Sequence, residues 1–227
     1  MFYINISASI TLTGLTIRDG NITGGYGGGI YNDGNLRLEA ARLFSNSAQW
    51  GGGLYVGPGS VVLSGTQVIS NSASERGGGL YVDYGGGVLS NTQVLSNSAN
   101  NGGGVYVRRS STALNLYGGQ VRNNSASNSG GGLYLYGGRI VLNNTQVISN
   151  SASNEGGGLF TRSGGAVLNM YGGEIRDNLA SAGGGGLYIF IGPTVLSNTL
   201  VLSNSADRGG GLYVNRGSQV LTNTQVQ

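Results

Sequence analysis

The chain has 227 residues, with 46 glycines, two prolines, no cysteine and no histidine, and only 9% of it is charged. Disulfide staples, thiolate metal sites and imidazole chemistry are therefore excluded, and since all twelve basic residues are arginine, so is lysine chemistry. A net charge of +3 with no basic cluster larger than Arg108-Arg109 is no nucleic-acid footprint, and no apolar run approaches the roughly 18 residues of a spanning helix, so neither nucleic acid nor membrane insertion is expected.

Met1-Phe2-Tyr3-Ile4-Asn5 opens directly on strand-like alternation, without a signal-peptide pattern. A leader already removed, or a segment of something longer, is the expectation. From Gly27 onward one unit recurs. Gly-Gly-Gly, an aliphatic and an aromatic end their triplets at Gly29, Gly53, Gly79, Gly104, Gly132, Gly158, Gly186 and Gly211, at intervals of 24 to 28 residues. A block such as Val88-Leu89-Ser90-Asn91-Thr92-Gln93 follows, and then one such as Val94-Leu95-Ser96-Asn97-Ser98-Ala99. The period is two, β-branched residues fill the alternation, and Gly, Asn and Ser separate the blocks, which excludes a helix. The sequence predicts one all-β domain over residues 1–227: a single-stranded right-handed parallel β-helix (β-solenoid) with three strands per coil, about 26 residues per coil, eight to nine coils and no caps. The handedness follows the crossover preference of parallel strands.

Three aliphatic columns are the predicted core. They run Ile30 to Leu212 after the triplets, Leu12 to Leu221 in the middle block, and Ile17 to Val226 in the third. Period two then turns the aromatic column outward: Tyr3, Tyr31, Tyr55, Tyr81, Tyr106, Tyr134, Phe160, Tyr188 and Tyr213. Such a stack could grip a glycan, meet a lateral partner, or stabilise the sheet itself. Asn46, Asn71, Asn97, Asn124, Asn150, Asn178 and Asn204 are expected to form a carboxamide ladder at the bend after the third strand. A second outward stripe of Phe44, Ile69, Leu95, Ile148 and Leu202 is predicted to be exposed, interrupted by Arg18, Arg122 and Arg176. Contiguous exposed aliphatics mark an interface, whereas scattered ones are ordinary surface. Two coil types alternate irregularly, one reading Asn-Thr-Gln-Val and the other Tyr-Gly-Gly at 117–119 and 171–173.

No catalytic constellation stands out. Glycoside hydrolysis needs two carboxylates about 5–9.5 Å apart, and the best pair among nine acidic residues is Glu174 with Asp177. Glu75, Glu155 and Asp207 read as solvated turn residues. No acidic cluster suits a metal, so no cofactor and no metal are expected. At the ends, Phe2, Tyr3, Ile4, Val220, Leu221 and Val226 belong to strands that a further coil could pair with, which would give head-to-tail homo-oligomers or filaments.

The pairing of Gly-Gly-Gly-[Ile/Leu/Val]-Tyr with a downstream [Val/Ile]-x-x-Asn-Ser-Ala resembles the repeats of polymorphic outer-membrane proteins and of large pectate-lyase-like β-helix surface proteins of bacteria. The resemblance covers essentially the whole chain. It implies secretion, an extracellular or cell-surface location and adhesion-like roles. Three readings follow. The first is a secreted structural solenoid that stacks or displays a surface, the second a polysaccharide-binding or adhesive passenger segment, and the third a polysaccharide-degrading enzyme.

Overall fold

The computed structural model describes residues 1–227 as strands, bends and turns with no helix. Three nine-stranded parallel sheets run the length of the molecule. The first holds Phe2–Ile4 through Leu212–Val214, the second Ser9–Thr13 through Gln219–Thr222, and the third Thr16–Arg18 through Gln225–Val226. In each sheet a strand pairs with its equivalent one coil away, so the chain is a parallel β-solenoid of nine coils. Register follows the columns: Leu80 faces Leu54 and Val105, Leu89 faces Leu63 and Leu116, and Val94 faces Val68 and Val121.

Three strands per coil describes the main sheets, but there is a fourth. Ser47–Trp50, Ser72–Arg76, Ser98–Asn101, Ser125–Ser129, Ser151–Ala152 and Leu179–Ala180 form a short six-stranded sheet just after the Asn column. Its inward positions are alanines, all buried. Strands this short, built from Ser, Ala and Asn, carry no apolar alternation by which a strand is recognised.

The aliphatic columns form one core of 34 buried residues from Ile4 to Val201. The bends are sharp because single residues turn left-handed: Ser70 at φ 53° before the Asn column, and Asn91 at φ 48° between the second and third sheets. The triplet has two separate causes. Gly102 sits at φ 65°, whereas Gly103 and Gly104 are pressed against the next coil. A Cβ on Gly103 would lie 2.3 Å from the Ser125 carbonyl oxygen, and one on Gly104 would lie 2.6 Å from that of Gly132.

The Asn ladder is continuous from Asn46 to Asn204. Asn124 is typical. Its Nδ2 donates to Asn150 Oδ1 at 3.0 Å and to the Val94 carbonyl at 2.9 Å, while its Oδ1 accepts from the backbone N and Nδ2 of Asn97, both at 2.9 Å. Gly20 takes the place of Asn in the first coil and gives its N–H to Asn46 Oδ1. Thr66, Thr92, Thr145 and Thr224 form a second column that the sequence reading passed over, each hydroxyl donating to a backbone carbonyl of the preceding coil.

Two substitutions test this packing. Asn124→Ala leaves several buried groups unpaired at once and is expected to cost roughly 2–4 kcal/mol in urea unfolding, against under about 0.5 kcal/mol for the exposed Ser125→Ala. Thr161 occupies a core column filled by Val56, Val82, Val107, Leu135 and Ile189 in neighbouring coils and by the buried Asn32 nearer the first, and its buried hydroxyl has no partner. Thr161→Val, of nearly the same shape, is expected to raise stability by roughly 1–2 kcal/mol. An unchanged urea midpoint would show that the hydroxyl is already satisfied.

Candidate functional site

The expectation of an accessible aromatic face is corrected by the structure. The aromatic column does point away from the main core, but Tyr55, Tyr81, Tyr106, Tyr134, Phe160 and Tyr188 are all buried in a second cluster. Successive rings stack with centroids 4.7–5.5 Å apart from Tyr31 to Tyr213, Tyr134 and Phe160 in a more tilted pair, and Tyr3 caps the row at 5.0 Å from Tyr31. Their cover comes from two directions. On one side lie the ends of the fourth-sheet strands and the residues just before the Gly triplet, where Trp50 packs against the cluster, the Arg76 guanidinium lies 5.5 Å over the Tyr106 ring, and Gly183 abuts Tyr188. On the other lie residues of the bend leading to the second sheet, where Asp83 accepts the Tyr55 hydroxyl at 3.1 Å. Tyr3 alone in the column is mostly exposed.

Burial sets the chemistry of these phenols. It is the main cause of raised pKa values at Tyr31, Tyr55, Tyr81, Tyr106, Tyr134 and Tyr188. Tyr31 is pushed up to about 12, with Asp33 adding to the burial. At Tyr55 the Asp83 carboxylate adds to it.

The apolar stripe is also less open than expected. Phe44, Ile69, Leu95 and Leu202 are half-buried and Ile148 is buried. Ile148 pairs with Arg122 on one side and Arg176 on the other, whose aliphatic stems flank it. Glu174 and Asp177 do not frame an open site. Arg176 lies between them, its Nε 3.2 Å from Glu174 and its Nη1 bonded to Asp177. At the rims, Phe2, Tyr3, Val220, Leu221 and Val226 are exposed because the stack has a neighbour on one side only, while Ile4 is buried.

The most extensive concave surface lies elsewhere, along the bend between the second and third sheets. A groove of about 610 Å³ is lined by Asn91, Gln93, Gly119, Gln120, Asn144, Gln146, Gly173, Glu174, Asn198 and Leu200, across five coils. Its Gln row is the outward first position of the third sheet: Gln93 faces Gln67 and Gln120, and Gln146 faces Gln120 and Glu174. Gln67 donates to Gln93 at 3.2 Å and Gln146 to Glu174 at 2.9 Å. The alternation of coil types finds its cause here. A Cβ on Gly118 would lie 2.6 Å from Asn91 Oδ1, and one on Gly172 would lie 2.2 Å from Asn144 Oδ1. Each Tyr-Gly-Gly coil thus leaves a notch that the preceding Asn side chain fills. The strands leading into the notched coils end on exposed Tyr117 and Tyr171. These coil types are legible in the sequence, but the groove is not. The recurrence of Asn-Thr-Gln against Tyr-Gly-Gly was the available signal.

A model of the family described as "Right handed beta helix region" matches residues 53–227. The match covers most of the chain, which therefore belongs to that family. No curated protein and no solved structure matches it.

The buried phenols give a pH test. A phenol with a folded-state pKa above its unfolded value of about 10 keeps its proton in the fold and loses it when unfolded. The stability it contributes is complete below about pH 10 and is lost as pH rises through the folded value. Absorbance titration near 295 nm is expected to show these six tyrosines ionising at higher pH in the folded protein than in the unfolded chain, Tyr31 near 12, and alkaline unfolding should bring their ionisation back toward the ordinary phenol value. Full ionisation of all thirteen tyrosines in folded protein at pH 10.5 would contradict the buried stack.

Proposed function

We propose that this right-handed β-helix is an extracellular structural solenoid that binds an extended polysaccharide along its side wall and does not cleave it. The observation that carries the reading is the amide-lined groove. Its Asn and Gln side chains repeat at the strand spacing of about 4.8 Å and offer donors and acceptors together, the complement of a hydroxyl-rich chain. Ligand sites are concave surfaces with a few convergent polar groups, and this one runs parallel to the solenoid axis over five coils. Tyr117 and Tyr171, 47% and 42% exposed, stand in one column two coils apart, about 10 Å along the axis. Each offers a ring face and a hydroxyl of the kind that meets sugar rings.

The exposed rims support a second reading, in which a further coil pairs on either end, whether from an extension of this chain or from a second copy. Phe2, Tyr3, Val220, Leu221 and Val226 would then be covered. Light scattering over a concentration series checks this second reading, which expects particles that lengthen with concentration.

For the side wall, a glycan array is expected to give binding to extended neutral polysaccharides. The double variant Tyr117→Ala, Tyr171→Ala and the single variant Gln120→Ala should each weaken it about tenfold or more, equivalent to about 1.4 kcal/mol, with no new reducing ends. Unaltered binding by all variants would remove the groove from the account. Release of reducing ends would overturn the non-enzymatic reading.

A further inference from the structure

The bends joining the first sheet to the second are unequal. Five residues, 108–112, connect Val107 to Ala113. Two, Tyr136-Gly137, connect Leu135 to Gly138 one coil later, and four, 162–165, connect Thr161 to Ala166 one coil after that. The short bend is a floor between two taller walls. The resulting cleft, of about 460 Å³, is lined by Arg108, Arg109, Ser110, Ser111, Tyr136 and Ser163, with Gly137 at its base. Ser110 spans it: its Oγ would lie 3.3 Å from a Cβ on Gly137 and 2.8 Å from one on Gly165, two coils away.

The electrostatics of the cleft are lopsided. Asp83, whose side chain is 4% exposed, holds Arg108 Nη1 at 3.1 Å and Arg109 Nε at 3.0 Å. Arg109 also stacks on Tyr84, its Cζ 3.8 Å from the ring centroid. One buried carboxylate against two guanidiniums leaves a surplus positive charge, and no carboxylate lines the cleft. The carboxylate and the ring fix Arg109, while its two Nη groups make no hydrogen bond within the protein. Long side chains lose much rotamer freedom when a ligand immobilises them, and here that loss has already been taken in folding.

We propose that this cleft binds a tetrahedral oxyanion, a sulfate or phosphate group, either free or as the monoester of a larger molecule. A guanidinium fork matches two oxygens of such a group, and the Ser110, Ser111 and Ser163 hydroxyls can donate to the others. The site lies on a different bend from the amide groove and does not depend on it.

The test uses the full chain, with isothermal titration of inorganic sulfate and of inorganic phosphate at ionic strength held constant with sodium chloride. One saturable site is expected, weakened about tenfold in Arg109→Gln, a loss of about 1.4 kcal/mol, and unchanged in Arg42→Gln on another sheet. Parallel arms with dextran sulfate and plain dextran distinguish the source. Tighter binding of dextran sulfate than of inorganic sulfate, with the same dependence on Arg109, assigns the group to a polymer, whereas equal binding assigns it to a free ion. Absence of saturation by either inorganic ion overturns the proposal. So does equal affinity in Arg109→Gln, or binding of dextran sulfate alone, which is diffuse charge attraction. Should circular dichroism show Arg109→Gln misfolded, Ser163→Ala decides: a severalfold loss supports the site and none overturns it.

Discussion

Parallel pairing of each strand with its own equivalent one coil away governs this molecule. It places every side chain about 4.8 Å from a counterpart in the same structural position, so a residue type succeeds only if it tolerates copies of itself above and below. Aliphatics pack, aromatics stack, and carboxamides hydrogen-bond from one to the next because each carries both a donor and an acceptor. Like charges do not tolerate it. Two of them about 5 Å apart repel by about 3 kcal/mol at the effective dielectric of a protein surface. Accordingly no two like charges are adjacent in any strand register: Arg122 and Arg176 flank Ile148, Arg37 lies between Thr11 and Val62, and Arg139 lies between Ala113 and Val167. The charged content of 9% is a consequence of that geometry.

The same constraint decides what could be read from the residues. Columns repeated seven to nine times made the three sheets, their register, the aliphatic core and the Asn ladder legible. Where a column position depended on something beyond the coil's own alternation, the reading stopped short. Period two gives the direction of Tyr81 but not what lies over it. The covering segment around Arg76 and Gly77 is short, polar and irregular, and its burial of the ring comes from the path of the chain after Ser72–Arg76. Ile148 was misjudged in a related way, because its neighbours' long arginine stems shield it, and that shielding depends on which coil type lies on each side. The Thr column escaped because Ala41, Gly119 and Gly173 interrupt it.

A lattice of identical rungs builds stiffness but distinguishes no location along its length. Places with distinct chemistry arise where the repeat is broken, and this chain breaks it in two ways. One is substitution within fixed spacing, where Gly118-Gly119 and Gly172-Gly173 replace Asn-Thr and open notches that Asn91 and Asn144 fill. The other is a change of bend length, which raises a wall at Arg108–Thr112 beside a floor at Tyr136-Gly137. Both leave the strand register intact, since the pairs on either side of each break remain in step. The aliphatic columns therefore carry the stability while the bends vary freely.

This division also explains why the one buried charge, Asp83, lies where it does. Within a strand column, Asp83 beside two arginines would need like-charged neighbours or a costly desolvation without partners. On a bend, Arg108 and Arg109 come from the next coil's loop, free of strand register, and converge on one carboxylate from two directions while Tyr55 donates from beneath. The rigid aromatic stack fixes that phenol, the phenol and guanidiniums fix the carboxylate, and the carboxylate fixes the loop. Order built by repetition in the core is thus passed outward, through a single non-repeating contact, to the part of the surface least determined by the repeat.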